Sequence, residues 1–317
     1  MIRFLAKRFG QALVVIALVT VIVFLLLHSV PGGPARGILG PQATTEAIAA
    51  FNHEHGFDRS LPEQYWMYVS GLLRGDLGES YTLNQSVSSL IGQRIPKTLV
   101  LTGLSTLLAL LIAIPLGVWQ GRRRKGLADY AITTLVFIGY ATPVFFLALI
   151  LVIVFAEKIP ILPVQAPQAE TLAGLFADSR GLILPILAGA IASVAVFSRY
   201  MRSAVLDNLA EDYVRTARAK GASERRVVWL HIMRNSLTPI IAMLGYQLPV
   251  LFSGALITES VFNYPGMGLL FWNAAQTSDF PILLGSVLVI AVATVVGSLI
   301  ADILQAFVDP RVRGAIT

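Results

Sequence analysis

A group of ionisable side chains in this 317-residue chain lies in one short stretch, residues 211–222, where charged residues are interspersed with apolar ones. Charged side chains at this density can pair with opposite charges on a protein or attract anionic lipid. Such side chains are scarce elsewhere, because Asp, Glu, Lys and Arg make up only 13% of the chain, against about 25% in a typical soluble domain. The stretch therefore indicates a recognition surface.

Catalysis, metal binding and nucleotide binding find little support in the residue types. The chain has no cysteine, so thiolate ligands and cysteine nucleophiles are excluded. His53-Glu54-His55 is the only cluster of histidine and acid, and because it lacks H-E-x-x-H spacing a solvated surface is favoured over a metal site. None of the five lysines follows a glycine, which excludes the phosphate-binding G-x-x-x-x-G-K-[ST] loop. We expect no catalytic residues and no cofactor in this chain.

The elements that carry this stretch are predicted to be membrane helices. Residues of the set AVILMFWYC make up 56% of the chain, and its mean hydropathy is +0.73. A helix crosses the hydrocarbon in roughly 20 apolar residues, and without period-two alternation a β-barrel is disfavoured. The sequence predicts an all-α integral membrane protein with six transmembrane helices, at residues 9–30, 99–119, 130–155, 182–200, 237–257 and 281–307.

The first span has an alternative interpretation as a signal peptide, because Arg3, Lys7 and Arg8 precede it. Its apolar run is longer than the usual core of such a peptide, and no A-x-A-like cleavage site follows it. We favour an uncleaved anchor helix preceded by a short cytoplasmic N-terminus, residues 1–8.

Basic residues predict the orientation of the spans. With the N-terminus placed in the cytoplasm, inside segments hold 17 of the 24 basic residues, and outside segments hold 11 of the 18 acidic ones. This asymmetry follows the positive-inside rule. Both termini are therefore expected in the cytoplasm, and the net charge of +6 needs no nucleic-acid partner.

Two segments outside the spans carry organisation of their own. Residues 31–97 are predicted to lie outside as a helical insertion: Thr44 can cap a helix over residues 45–55 that Gly56 closes, and Pro62 suits the first turn of a second helix that Gly75 ends. The inside segment, residues 201–236, is amphipathic. Its apolar positions are Leu206, Ala210, Tyr213, Val214 and Ala217, and its polar face carries Glu211, Asp212, Arg215, Arg218 and Lys220.

The end of this amphipathic segment has a helix-stop signal. Lys220 places a cation in the last turn, Gly221 follows it, and Ser223 can cap a second helix that begins at Glu224. On pattern alone, a basic amphipathic helix resting on anionic lipid is the favoured interpretation.

Residues 211–222, E-D-Y-V-R-T-A-R-A-K-G-A, resemble the cytoplasmic loop of ABC-importer permeases. In that family's general motif, Arg215-Thr216-Ala217 stands where E-A-A is usual, Gly221 matches the glycine, and Thr238-Pro239 stands where an L-P pair is usual. The form present here is similar to that of peptide-type permeases. Three further segments resemble the same family: G-D-L-G-E-S at 75–80 followed by R-I-P-K-T-L at 94–99, T-E-S-V-F-N-Y-P-G-M-G at 258–268, and D-P-R-V-R at 309–313.

This resemblance covers nearly the whole chain and identifies it with the dipeptide/oligopeptide/nickel permeases, of B-type. It implies a type I ABC importer fold with a permease core at residues 98–317, a location in a bacterial inner membrane, and a subunit that imports peptides, nickel complexes or haem. The implied partners are a second homologous permease, two cytoplasmic ATPase subunits that bind ATP and magnesium, an extracytoplasmic substrate-binding protein, and membrane lipid.

The resemblance also implies roles for residues. A coupling helix near residues 207–221 would sit in a groove on an ATPase; its candidate residues are Leu206, Glu211, Asp212, Tyr213, Arg215, Ala217, Arg218, Lys220, Gly221 and Ala222. An outer gate or binding-protein contact would involve Glu259, Phe262, Tyr264, Pro265 and Gly266.

The rival hypothesis is an autonomous ion-coupled carrier or channel. Such carriers hold acidic or histidine residues at mid-membrane, whereas the predicted spans are poor in ionisable groups and their one acidic residue, Asp302, is near the cytoplasmic end of the last span. We expect Asp302 to reach the interface or to pair locally, which leaves the importer subunit favoured.

Overall fold

The computed structural model of the chain describes residues 2–29, 33–40, 42–123 and 126–308. Within these ranges the regular elements are helices. They are α1 (Ile2–His28), α2 (Gly33–Leu39), α3 (Thr45–Glu54), α4 (Leu61–Leu73), α5 (Val87–Arg122), α6 (Leu127–Ala141), α7 (Val144–Val152), α8 (Leu172–Ala177), α9 (Arg180–Leu209), α10 (Asp212–Ala219), α11 (Glu224–Arg226), α12 (Met233–Ser253), α13 (Leu256–Val261), α14 (Met267–Gln276) and α15 (Phe280–Val308). Two π-helical segments, Ile153–Lys158 and Val227–Ile232, continue α7 and join α11 to α12.

The predicted all-α membrane fold is confirmed. Across the described residues, five helical stretches are long and apolar enough to cross a membrane, and α6 with α7 forms a sixth if the bent pair counts as one span. α5 lies along α9, α12 along α15, and α1 along α15. Gly117 and Gly121 allow α5 and α9 to approach closely, since a Cβ at either position would come within 2.6 Å of a side-chain atom of Met201 or Val205.

The third predicted span, residues 130–155, differs from a single straight helix. α6 ends at Ala141, α7 begins at Val144, and the two are bent by 103°. Pro143 lies between them, and the residue before it, Thr142, has ψ 126° in the extended region. A residue before proline is pushed out of the helical region, which gives this bend its local cause.

Other helices extend beyond their predicted apolar cores. α5 begins at Val87, where the Ser86 hydroxyl accepts a hydrogen bond from the amide of Ser89. The helix predicted at 237–257 is continuous from Glu224 to Ser253. Asp302 lies 2.5 Å from the guanidinium of Arg8, so its expected local pairing, between α1 and α15, is confirmed.

The outer segment contains the two predicted helices. The Thr44 hydroxyl accepts a hydrogen bond from the amide of Ala47 at the start of α3, and Gly56 follows with φ +73°. α4 starts with a capping box in which the Glu63 carboxylate accepts from the amide and hydroxyl of Ser60. These hydrogen bonds hold the pKa of Glu63 below its usual value.

α4 packs on the end of α1. The Tyr65 hydroxyl lies 3.0 Å from the Thr20 hydroxyl, and the Tyr65 ring meets Phe24 edge to face with centroids 5.3 Å apart. Phe24 is 4% exposed, so the outer helices cover it. Several residues discussed from the sequence lie outside the described ranges: Val30 to Gly32, Arg124, Lys125 and the C-terminal D-P-R-V-R at 309–313.

Candidate coupling helix and outer loop

A short helix, α10, occupies the centre of the predicted coupling loop. The preceding helix α9 continues to Leu209, and the chain then turns through Glu211, whose ψ of 147° is extended. Leu206 therefore belongs to α9. The prediction of an amphipathic helix that starts at Leu206 is wrong in this respect, because the helical spacing of apolar residues continues although the chain turns between α9 and α10. The loop helix itself is Asp212–Ala219.

Gly221 closes α10 with a left-handed turn. Its φ is +79°, its amide donates to the carbonyl of Arg218, and the amide of Ala222 donates to the carbonyl of Ala217. These two bonds form a Schellman motif, which satisfies carbonyls at a helix end. A Cβ at Gly221 would meet nothing within 4 Å, so the constraint there is backbone conformation and not crowding.

One face of α10 is anchored in the body of the protein. Val214 is fully buried and Ala217 is buried beside it. Both belong to an apolar cluster that includes Val205 of α9 and Val228 and Ile232 of the π-helical segment. Because protein interiors are close-packed and deform little, a force on α10 is transmitted to α9 and α12.

A chain of hydrogen bonds adds a polar tie beside this cluster. The hydroxyl of Tyr213 donates to the side-chain oxygen of Asn208. The amide of Asn208 in turn donates to the Ala204 carbonyl at 2.7 Å and to the Ser236 hydroxyl at 3.2 Å. Tyr213 thus connects α10 to both α9 and α12.

The opposite face of α10 is exposed and charged. Glu211, Asp212, Arg215, Arg218 and Lys220 are all exposed. Arg215 lies 3.5 Å from Asp212, and the Nε of Arg218 donates to Glu224 at 2.7 Å across the Gly221 turn. The latter pair links the loop helix to α11. This face is therefore available to a partner with complementary charges.

The second predicted site, the loop after α12, is organised around the carboxylate of Glu259. This side chain is fully buried. It accepts hydrogen bonds from the Thr98 hydroxyl at 3.0 Å, from the amide of Leu269 at 3.0 Å and from the amide of Ala255 at 3.3 Å. Leu269 is in the first turn of α14, so the carboxylate caps the positive end of that helix.

Glycines make room for this carboxylate. A Cβ at Gly266 would lie 2.4 Å from a Glu259 oxygen, and a Cβ at Gly268 would lie 3.1 Å from one. The Tyr264 hydroxyl donates to the carbonyl of Lys97 at 2.6 Å, and the amide of Met267 donates to the Thr98 hydroxyl at 2.8 Å. The segments 94–99 and 258–268, recognised separately in the sequence, form one unit.

All five residues nominated for the outer gate are buried: Glu259, Phe262, Tyr264, Pro265 and Gly266. A direct side-chain contact with a docked protein is closed to them in this conformation, and they shape the loop instead. Their part in an outer gate stays a prediction.

Two side-chain interactions were not predicted from the types of the residues in the sequence. Thr98 lies inside the quoted R-I-P-K-T-L segment but was not singled out, and its partner Glu259 is 161 residues away. Asp129 of α6 and Arg202 of α9 form an ion pair of 2.8 Å with Asp129 buried. The sequence signal for this ion pair is that Asp129 and Arg202 each lie next to a predicted apolar span.

Two family models together match most of the chain. Residues 113–314 match the family described as the binding-protein-dependent transport system inner membrane component, and residues 1–102 match its N-terminal part. Among solved structures, the chain is similar to the MetNI methionine ABC transporter in an inward-facing conformation, with a TM-score of 0.49 and 16% identity over 72% of this chain and 96% of that one.

Curated relatives match along the full length. The oligopeptide transport system permease protein AppB of Bacillus subtilis is 36% identical over 99% of this chain and 100% of its own length. The glutathione transport system permease protein GsiC of Salmonella choleraesuis is 35% identical over 99% of each chain. This protein therefore belongs to the inner-membrane permease components of binding-protein-dependent ABC transport systems.

Proposed function

We propose that this chain is one of two homologous permease subunits of a peptide importer, with both termini in the cytoplasm. The positive-inside asymmetry of its basic residues supports the orientation. The printed names of the relatives, an oligopeptide and a glutathione permease, support short peptides as cargo. ATP and magnesium would be bound by the ATPase partners.

The observation that carries this proposal is the build of α10. It presents a charged face outward while Val214 and Ala217 fix its other face to α9 and the π-helical segment before α12. A short helix held in this way acts as a lever, since movement of its outer face must move the transmembrane helices behind it. Carboxylates on an ATPase surface would pair with Arg215 and Lys220.

In the proposed cycle, ATP-driven closure of the ATPases pushes α10 and its counterpart in the second permease together, and the helical bundles rotate to open outward. A loaded binding protein delivers the peptide, and hydrolysis restores the inward-open state. The outer helices α3 and α4 and the loop around Glu259 would meet the binding protein or close the outer end.

Site-directed cross-linking tests the central contact, and the absence of cysteine makes each introduced thiol unique. Arg215→Cys on the exposed face of α10 should cross-link to an ATPase subunit in membranes containing the assembled importer. Gln276→Cys, exposed at the end of α14, should cross-link to the binding protein or to nothing. An ATPase adduct at residue 276 with none at residue 215 would refute the proposed orientation and contact.

Transport assays separate the proposal from an autonomous carrier. The purified chain alone in liposomes should move no labelled dipeptide under a proton or sodium gradient. Peptide uptake should appear only when the second permease, the ATPases, ATP and the loaded binding protein are present. Uptake by the chain alone would overturn the proposal.

A further inference from the structure

The imidazole of His28 joins the last turn of α1 to α4. Its Nδ1 lies 2.8 Å from the carbonyl oxygen of Phe24, and its Nε2 lies 2.8 Å from the side-chain oxygen of Gln64. The same Gln64 uses its amide nitrogen to donate to the carbonyls of Arg59 at 2.8 Å and Phe57 at 3.2 Å. One network thus runs from α1 to the turn that begins α4.

The direction of each hydrogen bond in this network is determined by its neighbours. Carbonyl oxygens only accept, so the nitrogen of Gln64 must face Arg59 and Phe57, and its oxygen must face His28. Flipping the amide would set an oxygen against two carbonyl oxygens. The Nε2 of His28 must then donate to Gln64, and its Nδ1 must donate to Phe24. A neutral imidazole has one N–H, whereas the imidazolium has two, so only protonated His28 makes both bonds.

The surroundings of the ring suit a cation. His28 is the last residue of α1, where the negative end of the helix dipole favours positive charge. The ring of Phe24 lies 4.1 Å away at an interplanar angle of 33°, and the face of an aromatic ring attracts a cation.

His28 lines a cavity of about 270 Å³ between the outer segment and the ends of α1 and α15. The other titratable groups that line it are His55, Tyr68, Asp76 and Tyr81. Burial raises the pKa of Tyr68 and of Tyr81, so both stay neutral at physiological pH. Asp76 accepts a hydrogen bond from the amide of Gly78. His55 has its Nδ1 3.0 Å from the Phe51 carbonyl, a bond that a neutral ring makes equally well.

We propose that His28 is a proton-dependent clasp that holds the outer helices α3 and α4 on α1. Loss of its proton turns one ring nitrogen into an acceptor that faces the oxygen of Phe24 or of Gln64, and the repulsion between the two lone pairs displaces the ring and weakens its hold on α4. The clasp is independent of cargo and of ATPase coupling. Its exposure to the extracytoplasmic pH rests on the proposed orientation.

Distance measurement on the full chain in lipid nanodiscs tests the clasp. Spin labels at Leu73→Cys on α4 and Gln276→Cys on α14, both exposed, report the position of α4. Raising the pH from 5.5 to 8.5 should increase the displaced population roughly fivefold, the equivalent of one hydrogen bond of typical net strength. This window avoids the range in which the Glu63 capping box protonates, since its carboxyl titrates below its usual value near 4.5.

Matched variants identify the responsible ring. His28→Gln should show the displaced population at both pH values, whereas His55→Gln should respond as the parent does. A parent distribution that is the same at both pH values, or a response abolished by His55→Gln, would overturn the proposal.

A second variant keeps the test independent of folding defects in His28→Gln. With His53, His55 and His231 all changed to Gln, His28 is the only remaining histidine. Its ring ¹⁵N shifts should show two protonated nitrogens where α4 is docked, and the loss of one of these protons should accompany the distance change. A ring that is neutral while α4 is fully docked would refute the clasp.

Discussion

Gly221 is constrained by backbone conformation alone, because its φ of +79° closes α10 while the space around it is open. A β-branched residue in the left-handed region is strained, whereas asparagine enters that region readily. We therefore predict that Gly221→Val reduces substrate-stimulated ATP hydrolysis by the assembled importer about five- to thirtyfold, as expected for a penalty of roughly 1–2 kcal/mol on the lever.

The asparagine variant is the control for this turn. Gly221→Asn, which adds a side chain of similar bulk, should retain most of the stimulated hydrolysis, and both variants should insert normally. Equal loss in Val and Asn would show that an exposed side chain at this position matters and the turn does not.

At the other end of the molecule, Glu259 is constrained by its donors. Its carboxylate accepts hydrogen bonds from the hydroxyl of Thr98 and from the backbone amides of Ala255 and Leu269. In Glu259→Gln the amide NH₂ faces a donor and leaves buried groups unsatisfied, at a cost of about 1–3 kcal/mol. We predict a midpoint of thermal unfolding in detergent lower by several degrees.

Glu157→Gln is the matched control, since it makes the same chemical change at an exposed position. It should leave the unfolding midpoint within the error of the measurement. An unchanged midpoint in Glu259→Gln would mean that the carboxylate does not hold the loop to α14 and α5.

Among the elements, α10 depends most on tertiary packing. Eight residues are too few for a stable isolated helix, so Val214 and the apolar cluster behind it must hold α10 in place. Val214→Asp would bury an unpaired carboxylate, which costs several kcal/mol. We predict that this variant inserts normally but loses ATPase co-purification about tenfold or more.

The control for this element is Thr216→Asp, whose side chain is exposed on the same helix. It introduces the same charge without disturbing the cluster, and co-purification should stay within about threefold of the parent. Equal losses in the two variants would indicate that added negative charge, and not displacement of α10, weakens the contact.

The spans could be predicted from sequence because crossing hydrocarbon requires long apolar runs. Their ends could not. α5 begins at Val87, well before the predicted apolar run, and the helix predicted to begin at Glu224 continues into α12 without a break. The bend at Pro143 was also missed as a break, since proline permits a kink while the packing of neighbouring helices determines its angle.

The candidate sites show the same division between local and distant information. The turn at Gly221 and the caps at Thr44 and Ser223 are local and are confirmed. Leu206 was misplaced because no local breaker marks the corner between α9 and α10. The Thr98–Glu259 bond joins distant segments, and no helical or strand period in the sequence encodes such a pairing.

At the scale of the whole molecule, the proposed orientation assigns different partners to the outer and inner ends. The described part of the inner end presents the charged face of α10, and an ion pair between Arg8 and Asp302 joins α1 to α15. The outer end adds the segment of α3 and α4, which contacts α1 through Tyr65 and Gln64. Removing this segment should therefore affect the outer partner selectively.

Replacing residues 44–74 by a short Gly-Ser linker tests that expectation. The deletion uncovers Phe24, but α1 still lies along α15, so insertion and the α10 face should persist. We predict that capture of the loaded binding protein falls about tenfold or more, while ATPase co-purification stays within about twofold. Pull-downs against each partner separately measure the two effects.

Tyr65→Phe, which removes only the hydroxyl that contacts Thr20, should reduce capture of the binding protein far less than the deletion. A deletion that releases the ATPases but retains the binding protein would place the docking surface elsewhere and reverse the assignment of the two ends.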